Sequence, residues 1–404
     1  MASEKGHELV LTDNAFGKLV KSFRKQRGWS QGKLAERWGH TREYVSLVER
    51  GQRKLEKQEQ INRLADILDI PDEQLERVGK RIPQRKAQAP LEDNDALIQV
   101  LLEPAQNTVK MSWLIWYGNG GIVDTESSLK TLLLQLEEVL QSYKGEFAKP
   151  ALRIQAYAHE MLGKIAIERI ETKEATAHFQ EMYDIAEELN DAELLALALI
   201  HQSEMLRRSH RYEAAIRRLD RAEDYVHRHN DEISQHIQGM MWRSAAINYY
   251  VYGNEKGFLR AIDQATEIAE GITPTIDTLS SEFDKVEVLQ VRGLGYAQLG
   301  RPEKAIEIYK LTDKLRPFRP LRDQSSYHIV KAQAYCYAGD ITTGVKHAVK
   351  GMELAESFHS VRYVVRLQQM CDRLNITPLR KEKGVLELKQ EVLETLRRMT
   401  TYEH

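Results

Sequence analysis

The sequence predicts an all-α protein in two parts: an N-terminal unit of five short helices, then a right-handed α-solenoid of paired helices. Three observations predict this. Leu, Ala, Glu, Lys and Arg abound while Pro occurs only 10 times in 404 residues, a composition that favours helix. Apolar residues recur three and four positions apart, the spacing of one helix face. From 151 to 374, stretches of similar length alternate with short breaks and repeat one pattern of small and bulky residues. With 42% hydrophobic and 29% charged residues the chain can build a core, which argues against wholesale disorder.

The N-terminal elements follow in order. Phe16, Leu19, Val20 and Phe23 fall on one helix face, and Gly28 ends that helix. Ser30 stands where an N-cap belongs, and Leu34, Ala35 and Trp38 form the inner side of a second helix that Gly39 breaks. Thr41 caps a third helix over 42–50 with Val45 and Val48 inward, and Gly51 ends it. Ile61, Leu64, Ala65 and Leu68 mark a fourth helix, and Pro71 opens a fifth. Two short helices joined by a tight glycine turn, the second capped and polar outside, describe a helix-turn-helix. This domain is placed at 14–78.

Residues 79–94 carry two prolines and clustered charge and are placed as a linker. Residues 95–145 form a helical junction with an apolar run over 111–117, whose Trp113 and Trp116 are core or a dimer contact, and a glycine break at 118–121. The repeat domain is placed at 151–374. Its segments read Gly163-x11-Ala175-x3-Phe179, Ser203-x11-Ala215-x3-Leu219, Gly293-x2-Tyr296-x8-Ala305-x3-Tyr309 and Ala332-x2-Tyr335-x8-Gly344-x3-Ala348. Small residues let two helices approach, and the bulky one fills the neighbouring groove. This is the tetratricopeptide pattern. The intervals, 40 residues from Ala175 to Ala215 and 39 from Ala305 to Gly344, exceed the reference repeat of about 34, so the helices are longer. Over 240–271 two alignments stand open, through Phe258 or through Ala261. A last helix at 384–399, with Leu386, Val392, Leu393 and Leu396 as its apolar side, caps the solenoid or mediates dimerisation.

Charge is divided unevenly. Residues 1–86 hold 19 Lys and Arg against 13 Asp and Glu, and 18–57 alone hold 12 against 4, whereas the rest of the chain is acidic. A basic head on an acidic body points to a polyanionic partner for the head. Two cysteines, Cys336 and Cys371, have no metal-ligand spacing and imply no disulfide framework. No secretory signal or membrane span is visible, so a cytoplasmic protein with no membrane partner is expected. There is no G-x-x-x-x-G-K-[ST], H-E-x-x-H or G-x-S-x-G, and His227 and His229 point to different helix faces. Neither catalysis nor a metal or cofactor is expected.

The segment FRKQRGWSQGKLAERWGHTREYVSLVERGQRK resembles the Xre/Cro-type repressor family. The matching elements are Arg24, Ser30-Gln31, Leu34-Ala35, Val45-Ser46, Glu49-Arg50-Gly51 and Arg53. The resemblance implies that Thr41, Arg42, Glu43 and Ser46 face the major groove and that Gln31 touches phosphate. The residue chemistry agrees: Arg42 can pair with guanine and Glu43 can accept from cytosine N4, although either can equally stand as a solvated surface charge. Arg53 and Lys54 would contact phosphates and set register. Gly32 inside the second helix, His40 in the turn and Trp38 in place of leucine depart from the family. One head reads a short half-site, so a homodimer on a pseudo-palindromic operator is expected.

Projecting the repeat onto the concave face of a solenoid gives Tyr157, Glu160, Lys164, Glu204, Arg207, Arg243, Ile247, Asn248, Tyr250, Glu287, Gln290 and Gln333 as groove residues. Mixed charge with tyrosines suits a short peptide better than a phosphate or an apolar cofactor, and an amide such as Asn248 can hydrogen-bond a peptide backbone. The layout as a whole resembles the Rap, Rgg, NprR and PlcR group of peptide-pheromone receptors. That resemblance implies a regulator whose DNA binding responds to a peptide effector. A DNA-tethered adaptor that docks a protein partner, or a constitutive dimeric repressor, would share the same architecture.

Overall fold

The computed structural model describes residues 15–53, 55, 58–78, 91–117, 122–143, 145–272, 283–315 and 320–401, all of whose regular elements are helical. The chain divides into two compact units, Met1–Leu91 and Glu92–His404.

The first unit holds α1 (15–26), α2 (Gln31–Trp38), α3 (Arg42–Glu49), α4 (Gln58–Leu68) and α5 (Asp72–Arg77). The caps are those the sequence predicts. Ser30 Oγ accepts from the Lys33 N–H at 3.1 Å, and Thr41 Oγ1 from the Tyr44 N–H at 3.2 Å. Each occupies a donor that the first helical turn leaves orphaned. Gly39 ends α2 at φ 74°, a conformation open to glycine at little cost. Phe16, Val20, Leu34, Trp38, Val45 and Leu64 are buried in one core. Leu19 and Phe23, predicted on the same face as Phe16, are only partly buried beside it. α1 crosses α3 closely: a Cβ on Gly17 would lie 2.4 Å from the Val48 carbonyl oxygen.

In the second unit, α6 (Leu91–Tyr117) begins inside the segment predicted as linker, the rest of which (79–90) lies outside the described residues. The predicted break at 118–121 lies outside them as well. α6 and α7 (Ile122–Ser142) bury Trp113 and Trp116 in a core shared with α8, so these tryptophans are core residues. Antiparallel pairs follow: α8 (Ala148–Glu168) with α9 (Thr172–Leu189), α10 (Ala192–Arg208) with α11 (Tyr212–Arg228), and α12 (Gln235–Tyr252) with α13 (Glu255–Gly271). Next come α14 (Lys285–Gln298) with α15 (Pro302–Lys314), α16 (Leu321–Tyr337) with α17 (Ile341–Ser357), and α18 (Val361–Asn375) with α19 (Lys383–Thr401).

The repeat pattern has the predicted physical cause. A Cβ on Gly163 would meet Phe179 at 2.6 Å, and one on Gly293 would meet Tyr309 at 2.5 Å. In the second segment Ser203 Oγ donates to the Ala215 carbonyl at 3.1 Å, closing the same crossing with a hydrogen bond. The array is therefore tetratricopeptide-like. It also settles the open alignment. Ala175, Ala215, Ala305 and Gly344 each stand fourth in their helices; in α13 that place belongs to Phe258, with Ala246 twelve residues before it. A phenyl ring fits where small residues stand elsewhere because Gly295 of α14 makes room: a Cβ there would lie 2.3 Å from the ring.

The last helix, α19, spans Lys383–Thr401, and its inward stripe is not the one expected. Val385, Leu388 and Val392 are buried, Leu393 and Leu396 are partly covered, and Leu386 is 53% exposed. α19 packs on both α17 and α18 as the second member of a pair, so its register is set by two neighbours rather than one. The array also closes on itself. Glu168 at the end of α8 accepts from Ser360 and from Arg362 (3.0 Å), and lies 3.4 Å from Arg322. The Arg322 guanidinium lies between Trp116 and Phe358, 4.1 and 4.6 Å from their ring centres, and its Nε donates to the Trp116 carbonyl at 2.7 Å. Among the described residues no helix is long and apolar enough to cross a membrane, and no three His, Cys, Asp or Glu cluster as metal ligands.

Candidate nucleic-acid interface and internal cavity

In the first unit, Thr41, Arg42 and Glu43 are exposed at the N-terminal end of α3, and Ser46 is half-buried one turn later. Val45 and Val48 fix the opposite side of the helix in the core. The exposed end therefore stands on a rigid base, as a side chain meant to reach a base edge requires. Arg53, exposed beyond α3, holds its guanidinium 5.5 Å from the Tyr44 ring centre. Lys54 lies outside the described residues.

Gln31 is engaged internally: its Nε2 donates to Glu49 Oε2 at 2.8 Å. The same buried carboxylate takes two hydrogen bonds from Arg24, whose third donor reaches the Trp29 carbonyl at 2.6 Å. Arg24 and Glu49 belong to the motif that carried the family resemblance. Their role, which the sequence alone does not disclose, is to clamp α1, α2 and α3 in one geometry. A second unforeseen feature is Trp29, with the cationic groups of Arg27, Lys33 and Arg37 at 5.3, 5.6 and 4.6 Å from its ring centre. The departure at His40 is explained by packing. His40 stacks on Tyr44 at 4.3 Å between ring centres and meets Trp38 edge-on at 4.5 Å. Burial, then Arg63, lowers its pKa.

The second unit carries an open cavity of about 1930 Å³. Lys164 of α8, Glu204 and Arg207 of α10, Arg243, Ile247, Asn248 and Tyr250 of α12, Glu287 and Gln290 of α14 and Gln333 of α16 all line it. The first helix of each pair thus supplies the wall. Two predicted groove residues do not. Glu160 is fully buried against α10, where its Oε1 shares a 2.9 Å hydrogen bond with His201 Nε2. Tyr157 packs between two hydrophobic cores, and burial pushes its phenol pKa up. On α8 the wall begins only at Lys164, because α10 covers the preceding turn.

The cavity's electrostatics are one-sided: among the described lining residues ten are Lys or Arg and five are Asp or Glu. Glu204 accepts from Arg208 at 2.7 Å. Burial raises its pKa, yet Arg208, Arg207, Arg362 and Lys164 together hold it well below the usual carboxylate range. Burial in turn pushes the Arg208 guanidinium down to about 10. Among the described residues, some buried amide oxygens on the wall lack partners. Asn248, 2% exposed, donates to the Ser244 carbonyl (2.9 Å) and to Ser203 Oγ (3.3 Å), but its Oδ1 accepts nothing, nor does Gln333 Oε1. Sequence reasoning missed the residues of α18, Arg362, Arg366 and Arg373, which also line the cavity. The signal was there: Arg362, Arg366, Gln369 and Arg373 recur at helical spacing, but the repeat pattern does not mark α18 as a first helix.

Comparison with known proteins supports the first unit directly. No curated protein matches the chain. Among solved structures, the crystal structure of Bacillus thuringiensis PlcR in complex with the peptide PapR7 and DNA is similar at 15% identity, covering 64% of this chain and 95% of that one with a TM-score of 0.30. Residues 15–78 match the family described as a helix-turn-helix domain, and with the capped α2–α3 pair this identifies the N-terminal unit as a helix-turn-helix domain.

Proposed function

We propose that the chain is a sequence-specific DNA-binding transcriptional regulator, and that its helical array takes an effector, a short peptide, into the cavity and so alters DNA binding. The observation that carries the DNA-binding half is α3. Its exposed N-terminal turn presents a hydroxyl, a guanidinium and a carboxylate in succession on a core-anchored helix within a helix-turn-helix domain. Base readout is assigned to Thr41, Arg42, Glu43 and Ser46, and phosphate contact to Arg53 and Lys54. Gln31 serves through the Glu49 clamp as well as at the phosphate. The molecule acts in the cytoplasm as a homodimer on a pseudo-palindromic site.

The effector half is supported by a cavity larger than the about 300–1,000 Å³ of small-molecule sites and by its partnerless amide acceptors, which match backbone N–H groups. A concave wall of this kind, lined by mixed charge and amides, suits a short extended peptide.

The test is selection of bound sequences from a random duplex pool. The expected result is a two-fold-related motif. Arg42→Ala should relax one base position per half-site and weaken binding by about 1–3 kcal/mol. If the triple variant Arg42→Ala, Glu43→Ala, Ser46→Ala keeps the original sequence preference, α3 does not read DNA.

A further inference from the structure

The wall of the cavity carries an unanswered charge. Arg366 of α18 is half-buried, and its NH1 donates to Ser326 Oγ at 3.2 Å. Among the described residues no carboxylate pairs with it. The groups that act on it most strongly are Arg362, one turn away and of like charge, then Tyr363, Tyr250 and Tyr309. Burial, then Arg362, pulls its guanidinium pKa below the usual value. Arg207 and Arg373 act on the same Tyr250 phenol from α10 and from further along α18. Glu204, the carboxylate on the α10 side, is already bonded to Arg208. The Arg366 guanidinium also lies 5.8 Å from the Tyr363 ring centre. A half-buried guanidinium that lines an open cavity, with no carboxylate partner among the described residues, is placed to donate a charge-assisted hydrogen bond to an anionic group of a ligand.

We infer that the effector is a peptide bearing a carboxylate that seats on Arg366, with Arg207 and Arg373 flanking it, while its backbone N–H groups donate to Asn248 Oδ1 and Gln333 Oε1. This deepens the effector reading above and rests on it. Two features exclude a bare inorganic anion. The partnerless amide oxygens need donors, which a fully deprotonated anion such as sulfate lacks. The cavity also extends well beyond the Arg366 end, to Lys110 and Lys285. The carboxylate has two possible sources, the free C-terminus or an Asp or Glu side chain, and both present the same planar oxygen pair to a guanidinium fork.

The experiment is affinity selection, read by mass spectrometry, from a pool of synthetic random heptapeptides with free C-termini, using the full-length protein. A second pool has amidated C-termini, and a third has amidated C-termini with Asp and Glu omitted. The expected result is retention from at least one carboxylate-bearing pool and about tenfold weaker retention from the third, the scale of a lost charge-assisted hydrogen bond. If amidation alone abolishes retention, the C-terminus is the source; if retention survives amidation, a side chain is. Arg366→Gln should lose the preference for carboxylates. Asn248→Ala should weaken all peptides and keep the preference. Equal retention of all three pools, or an unchanged preference in Arg366→Gln, overturns the carboxylate subsite and leaves the peptide reading standing. Retention from no pool overturns both.

Discussion

The two units treat buried charge in opposite ways. In the helix-turn-helix unit the buried ions are matched internally: Glu49 is saturated by Arg24 and Gln31, and the N-terminal end of α3 is exposed. In the helical array some charges are matched, as at Glu168, but the cavity wall keeps a cationic excess and partnerless amide oxygens. A surface that reads a rigid duplex gains from being fixed before contact, because distortion at the moment of binding would cost affinity. A cavity that must respond to a ligand gains from groups that only the ligand satisfies, since a ligand shifts an equilibrium only through differential affinity for its states.

The largest effect should come from removing a matched carboxylate. Glu49→Ala strands Arg24 in the core, and breaking a buried pair from one side costs about 3–5 kcal/mol. In calorimetry of the full chain, the transition of the helix-turn-helix unit should fall or vanish and DNA binding with it, while the array's transition stays in place. Glu168→Ala should do the reverse, lowering the array's transition by loss of the closure to Arg322 and Arg362 and leaving the first unit unchanged. If both variants lower both transitions equally, the units do not fold independently and the contrast between them fails.

Acid should discriminate between the units next. The array holds two histidine pairs, His159 with His178 at 3.0 Å and His328 with His347 at 2.8 Å between Nδ1 atoms, each linking the two helices of one repeat. Burial, then the neighbouring imidazole, pulls His159 down to about 3, and burial, then Lys331, pulls His347 down to about 4. Both lie below the ordinary histidine value, so the folded array binds fewer protons than the unfolded chain between these limits. The stability these pairs contribute is fully present above about pH 6.5 and is lost as pH falls towards 4, by on the order of 3 kcal/mol for the buried His159 and less for the more exposed His347. Urea unfolding of the array at pH 7 and pH 4.5 should show this slope, and His159→Asn with His347→Asn should flatten it.

Legibility in the sequence follows the range of the contacts. The first unit's helices, caps and inward residues lie within a few positions of one another, so Ser30, Thr41, Gly39 and the apolar spacing are enough to place them. The repeat was legible for the same reason: the interval from Gly163 to Phe179 or from Gly293 to Tyr309 is short and recurs. Periodicity also placed ten groove residues on what the structure makes one wall. The rest depended on distant neighbours. Glu160 is taken from the wall by His201, 41 residues on, and Glu168 meets Arg362 only because the array turns back across 194 residues. Phe258 occupies a small-residue place that becomes acceptable only through Gly295 on the next repeat. The Leu386 error has the same origin, since α19 is oriented by α17 and α18 together.

The smallest effect is the sharpest, because one substitution should change sign between the units. In the array, Gly293→Ala drives a methyl into Tyr309, which is fully buried and whose hydroxyl is hydrogen-bonded at 3.5 Å to the Gln290 carbonyl, so the ring cannot retreat. Overpacking of this kind costs about 1–3 kcal/mol. Gly32 looks from the sequence like a glycine inside a helix, but it is the second residue of α2, and a Cβ there meets only Ser30 Oγ at an ordinary 3.6 Å. Gly32→Ala should therefore stabilise the first unit by less than the about 0.5–1 kcal/mol that separates glycine from alanine in a helix interior. The two variants, followed by calorimetry under identical conditions, should move their respective transitions in opposite directions. If Gly32→Ala weakens DNA binding while raising stability, the glycine is there to let a phosphate approach the start of α2; unchanged binding would make it a site where stability was simply left unoptimised.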